Sequence, residues 1–189
     1  MKLGILIVVL CTSILGAAYA DTGGVTDPAD QAWGNVDIGL IEHSHEKYAD
    51  GVAGKTRTLL THTVTMHEAW NYEEPGGLDL VLSFNTDRDR RVERELRLHV
   101  QDPANPYAEM TDAKGRIRGY ARISRPDELA ITFAFPKGLF GRNLTRYRWK
   151  AVATSDFTPP PECQAPNPPC PLPQPQDAAP DRGRVIHRL

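Results

Sequence analysis

The chain has 189 residues, with 22 basic and 24 acidic side chains and a formal charge of −2. That balance excludes the basic footprint of a nucleic-acid binder and the acidic block of a halophile or an acidic-tailed protein. Only 3 cysteines against 16 prolines and 15 glycines exclude a disulfide-dense scaffold and favour many turns.

Taken in order, the chain opens as a secretory leader. Lys2 precedes an apolar run over 3–10 that continues through Ile14 and Leu15 and ends at Ala18-Tyr19-Ala20. A charged start, an apolar middle and an A-x-A end predict a signal peptide over 1–20, cut after Ala20. The run is too short for a transmembrane anchor and no stop-transfer pattern follows, so no membrane span is expected in the mature chain. Cys11 lies inside the run behind bulky Leu10 and reads as leader filler. The mature protein is therefore expected outside the cell. Residues 21–32, rich in Gly, Thr, Asp and Pro, read as a flexible lead.

A folded body over 33–157 follows, the size of one ordinary domain. The first strand is expected over 36–43, with Ile38 and Leu40 on one face, broken by Asp50-Gly51 and Ala53-Gly54. Residues 58–70 are strongly β in composition. There Leu60, His62, Val64 and Met66 share one face, and a Thr-rich face opposite should see solvent. Pro75-Gly76-Gly77 turns the chain.

The central signal is 78–100. Leu78, Leu80, Leu82 and Phe84 alternate with Asp79, Val81, Ser83 and Asn85. After a polar run, Leu96, Leu98 and Val100 alternate with Glu95, Arg97 and His99. Period two with a short charged turn predicts an antiparallel hairpin, with Leu82 opposite Leu96. A short strand is expected over 107–110, a tight turn over 112–115 and a strand over 116–124. Residues 128–135 place Leu129, Ile131, Phe133 and Phe135 on one face. One helical turn is expected over 136–140, and a last strong strand over 146–155, with Trp149 in the core.

No stretch of the body holds a helical period. Short strands with turn signals about every eight to twelve residues predict an all-β fold, an antiparallel, jelly-roll-like β-sandwich of about eight strands. From Thr158 the composition becomes Pro-rich, which no central strand tolerates. Residues 158–189 are expected as a Pro-rich tail. Its end alternates Val185, His187 and Leu189 with Arg184, Ile186 and Arg188, and either docks as an edge strand or hangs free. Cys163 and Cys170, an even pair in an oxidising compartment, are expected to form a local disulfide.

Three places could carry a ligand. Asn85, Asp87 and Asp89 put oxygens at alternate positions of a turn, the spacing a calcium ion exploits; Arg90 and Leu96 stand where an EF-type loop wants Gly and Glu. The other reading is a solvated turn, and calcium is the only cofactor suggested. His43-Ser44-His45 would put two imidazoles on one side of a strand, a start for a transition-metal site. Its third ligand is not identified; His62, His67, Glu42 and Glu46 are candidates by type. Trp70 and Tyr72 flank Asn71 at a turn, where they would either stack on a sugar or, for Trp70, close the core. No G-x-S-x-G elbow, H-E-x-x-H helix or phosphate-binding Gly loop occurs, and no catalytic residue is assigned.

Several motifs together resemble a known arrangement. Asp37-Ile38 opens the body, an apolar strand runs into the acidic turn at Leu80 to Asp89, and Pro136 to Phe140 precedes the Tyr147-Arg148-Trp149 step. Over roughly 36–155 this resembles the secreted jelly-roll sandwiches grouped with family-nine carbohydrate-binding modules and DOMON-like domains. The resemblance implies a sandwich that binds a sugar, haem or nothing known, and speaks to fold more than to function; a DOMON-type haem site would use an axial Met–His pair, for which Met66 would offer the sulfur. The leading expectation is a secreted, non-enzymatic binding or surface-interaction module for an extracellular glycan or cell-surface ligand, with no nucleic-acid partner. The alternatives are a metal-binding protein using His43 and His45, and a purely structural extracellular protein.

Overall fold

The computed structural model describes residues 22–29, 36–50, 55–70, 78–87, 91–100, 105–141, 143–155 and 176–189. They form eleven strands: β1 (Gly23–Thr26), β2 (Ile38–Asp50), β3 (Lys55–Met66), β4 (Leu78–Asn85), β5 (Arg94–His99), β6 (Tyr107–Asp112), β7 (Ile117–Ser124), β8 (Ala130–Pro136), β9 (Arg146–Ser155), β10 (Gln176–Ala179) and β11 (Val185–Arg188). The expected helical turn is a 3-10 turn at Lys137–Leu139. Every strand pair is antiparallel.

The fold is all-β, but pairing runs through one sheet. The order is β1-β2-β3-β8-β7-β6-β5-β4-β9-β10, with β11 also on β9. The sheet curls into a nearly closed barrel in place of the two stacked layers expected. The strand count exceeds the expected eight for a definite reason. Gly23–Thr26, in the segment read as a flexible lead, pairs with β2. Two strands from the segment read as a Pro-rich tail pair with β9, one after the other. Prolines do not interrupt 176–179 or 185–188, so these stretches keep the N–H groups a ladder needs.

The two ends of the sheet meet along a seam that side chains close. The Asp177 carboxylate accepts the Ile38 backbone N–H at 2.7 Å, and His45 meets His187 at 3.1 Å. A backbone donor that would otherwise sit unpaired at an edge is thereby satisfied.

Alternation put the right residues inside. Leu60, His62, Val64 and Met66 on β3, Leu80, Leu82 and Phe84 on β4, Leu96 and Leu98 on β5, and Ile131, Phe133 and Phe135 on β8 are all buried. Trp149 is fully buried and Met66 is core. The hairpin register is the expected one, with Leu82 opposite Leu96 and Val81 opposite Arg97.

Two local departures come from bulges. On β2, Ile38 faces Met66 but Leu40 already faces Thr65, so Gly39 is one residue extra. A bulge reverses which parity points inward. Ile41 and His43 are therefore buried, and Leu40, expected beside Ile38, is not. On β7 the register slips between Gly119 and Ile117, and Ile117 lies 55% exposed. Asp112 holds the turn into β7: its carboxylate accepts the backbone N–H of Lys114 and Arg116 and pairs with the Arg116 guanidinium. Gly115 there has φ 71, the left-handed conformation a tight turn asks of glycine.

Candidate functional site

Two places on this frame concentrate chemistry. The first is the seam. The bulge at Gly39 turns His43 and His45 inward, and the alternation of β11 turns His187 to meet them. His187 stacks on His43, with centroids 4.1 Å apart, and its Nε2 lies 3.1 Å from Nδ1 of His45. The Tyr147 hydroxyl sits between His187 Nδ1, at 2.5 Å, and His62 Nε2, at 2.8 Å. Trp149 Nε1 donates to His43 Nδ1 at 3.3 Å. Since indole only donates, neutral His43 carries its proton on Nε2.

Four groups thus form a file: His45, His187, Tyr147, His62. One hydroxyl proton serves two imidazole nitrogens, so Tyr147 must donate to one and accept from the other. His62 ends the file. It stacks on Phe135 at 5.3 Å and meets Trp149 edge-on at 4.6 Å, and its Nδ1 has no hydrogen-bond partner among the described residues. An orphaned lone pair is tolerated better than an orphaned N–H. That favours a proton on His62 Nε2, with each donor pointing outward towards His45. Burial, then the neighbouring His187 and His43, holds the His62 pKa well below the usual imidazole range. Burial, then His43 and His45, pushes His187 down to about 3. Burial raises the Tyr147 phenol well above its ordinary value. At neutral pH His62 and His187 are therefore neutral imidazoles beside an un-ionised phenol.

No protein-family model, curated protein or solved structure matches this chain.

The second place is the outer face. The registers set Tyr48 opposite Arg57, Glu46 opposite Leu59, Leu59 opposite Pro136, Ala134 opposite Arg122, Tyr120 opposite Glu109 and Tyr107 opposite His99. These residues lie on the side of the sheet away from the core, on β2, β3, β8, β7, β6 and β5 in turn. Tyr48, Tyr107 and Tyr120 are 37%, 44% and 57% exposed. Tyr107 stacks on His99 at 4.7 Å and meets Tyr120 edge-on at 6.2 Å. Between Tyr120 and Tyr48 runs a cleft of about 490 Å³, bordered by Glu46, Leu59, Arg122 and Pro136. Leu59, Ala134 and Pro136 give it an apolar lining between the polar Glu46 and Arg122.

The residues singled out from sequence fare unequally. His43 and His45 share one side, as H-x-H on a strand requires. Trp70 does not offer a stacking face. It is 3% exposed, donates Nε1 to the Leu129 carbonyl at 3.2 Å, and lies under the Arg125 guanidinium, 4.2 Å from the ring centre. It closes one end of the core, and Tyr72 lies outside the described residues. Asn85 is fully buried, and its Nδ2 donates to the Arg91 carbonyl at 2.6 Å, so it ties the turn together. Asp87 is exposed; Asp89, Cys163, Cys170 and the leader lie outside the described residues. Among these residues, no helix is long and apolar enough to cross a membrane.

Sequence reasoning missed His187 and Tyr147 as members of a site and missed the tyrosine row altogether. His187 could have been found by its place on the apolar side of the Val185–Leu189 alternation. The tyrosines become a row only once strand order is known.

Proposed function

We propose that the protein is a secreted, non-catalytic binding module that takes a carbohydrate chain across the outer face of its sheet. The observation that carries this reading is the exposed row Tyr48, Tyr120 and Tyr107, with a cleft between the first two. A sugar ring has an apolar face of C–H groups and a rim of hydroxyls. Tyrosine offers a flat apolar body and a polar tip to match. Glu46 accepts hydroxyl protons and Arg122 donates to ring and glycosidic oxygens, giving the few convergent polar groups a binding cleft needs. Tyr and Arg are also the side chains that dominate recognition surfaces. The leader sequence and the resemblance to secreted jelly-roll sugar binders agree with an extracellular glycan as partner.

Affinity electrophoresis of the mature protein through soluble glycans and cell-wall polymers tests this. At least one polysaccharide should retard it relative to a non-binding standard. Unchanged migration through the whole panel overturns the reading.

A further inference from the structure

We propose that His45 and His187 form a copper(II) site that clips the last strand of the chain to β2. It lies at the seam, apart from the outer cleft, and does not depend on the carbohydrate reading. The bite of the pair carries the inference. Nδ1 of His45 and Nε2 of His187 stand 3.1 Å apart. An ion held by both at roughly 2.0–2.1 Å would subtend an angle of about 100°, between tetragonal and tetrahedral geometry. The two side chains are 142 residues apart in sequence, so the fold alone brings them to this spacing.

The surroundings are those of a ligand pair. The second nitrogen of His187 meets the Tyr147 hydroxyl at 2.5 Å, and Tyr147 also meets His62 Nε2. Such an outer partner fixes the tautomer and the ring plane of a metal-bound imidazole. With the ion in place, the proton shared by His45 and His187 leaves to solvent. His187 Nδ1–H then donates to the Tyr147 oxygen and Tyr147 O–H to His62 Nε2, each proton having moved one place along the file; His62 takes up a proton on Nδ1 in exchange for the one released at the seam, and the cost of the reversal is that this N–H has no partner among the described residues. The file reverses direction with no change in its heavy atoms. His45 is only partly buried, which leaves solvent access for entry and for water ligands. His43 stays outside the coordination sphere, because its Nδ1 takes the Trp149 N–H. Among the described residues no third His, Cys, Asp or Glu converges with the pair. Two imidazoles and water suit an exchangeable ion, and copper(II) heads the affinity order for nitrogen sites.

The test uses the full mature protein, stripped with chelator and titrated with copper(II) and with zinc(II) in a non-coordinating buffer. One copper equivalent should bind, at least tenfold tighter than zinc, and its electron paramagnetic spectrum should show coupling to imidazole nitrogen. His45→Ala should abolish that equivalent, while His67→Ala, a histidine away from the pair, should leave it intact. His187→Ala is informative only if its circular dichroism matches wild type; His45, at the partly exposed end, decides the matter without it. Absence of a stoichiometric copper in the wild type, or its persistence in His45→Ala, overturns the site.

Discussion

The Tyr147 hydroxyl lies 2.5 Å from Nδ1 of His187, joining the last strand of the chain to the interior of the barrel. That contact is one half of a shared proton, the other half being His62. Tyr147→Phe would keep the ring packing against Phe84 and Phe140 but leave two imidazole nitrogens unmatched in the core. Loss of a partner from buried polar groups costs about 1–3 kcal/mol. Denaturant titration should show that loss with an unchanged slope; a neutral substitution would mean that the file is not hydrogen-bonded.

Acid should loosen the fold through its buried histidines. The folded protein holds the pKa of His62 and His187 below 6.5, so between that value and about 3 the unfolded chain binds more protons. Stability then rises with pH across the window, is fully present above about 6.5, and falls on acidification. Asp112 acts in the same direction but later. The Arg116 guanidinium holds its carboxyl well below the ordinary range, so its contribution fades only below about 4. Melting temperature followed from pH 7 to 4.5 should therefore decline, and His187→Gln, if folded, should flatten the curve. A flat wild-type curve would contradict neutral buried histidines.

The hairpin offers a contrast between its two faces. Leu80 is fully buried, and Leu80→Ala should cost roughly 2–5 kcal/mol through lost burial and the cavity left behind. Asp79 meets Arg97 at 2.7 Å, but both side chains are over two-fifths exposed. Asp79→Ala should cost under about 1 kcal/mol, as exposed ion pairs do. Equal costs by denaturant titration would mean that the inner face is misassigned.

Thiol labelling offers a separate test. Cys163 and Cys170 are expected to be bonded to each other, so labelling of the non-reduced protein should find no free thiol. Two labelled cysteines would remove the bond from the account.

What could be read from the sequence was whatever depends on neighbours two residues away. Period-two alternation gave the buried faces of β3, β4, β5 and β8 and set Leu82 against Leu96, because one misplaced residue would turn a whole face to water. Gly39 broke the rule on β2: an isolated glycine in a strand is the local mark of a bulge, but plain alternation read straight through it sets Leu40 beside Ile38, where the structure has Ile41 and His43. Eleven strands were harder to see than eight because β1 and β10 are short and lack a clear alternation. The site was half legible. H-x-H on one strand face announced His43 and His45. Their meeting with His187 depends on which strand closes the barrel, a property of the whole chain with no local mark.

The tyrosine row on the outer face is proposed to bind sugar. The most direct measurement is calorimetric titration of a polysaccharide that retards the wild type into three proteins: wild type, Tyr120→Ala, and Ile186→Ala as a control at an exposed apolar position on β11, away from the row. Tyr120→Ala should bind at least tenfold more weakly, a change of about 1.4 kcal/mol, while Ile186→Ala binds as wild type. Equal affinity in all three would contradict the assignment.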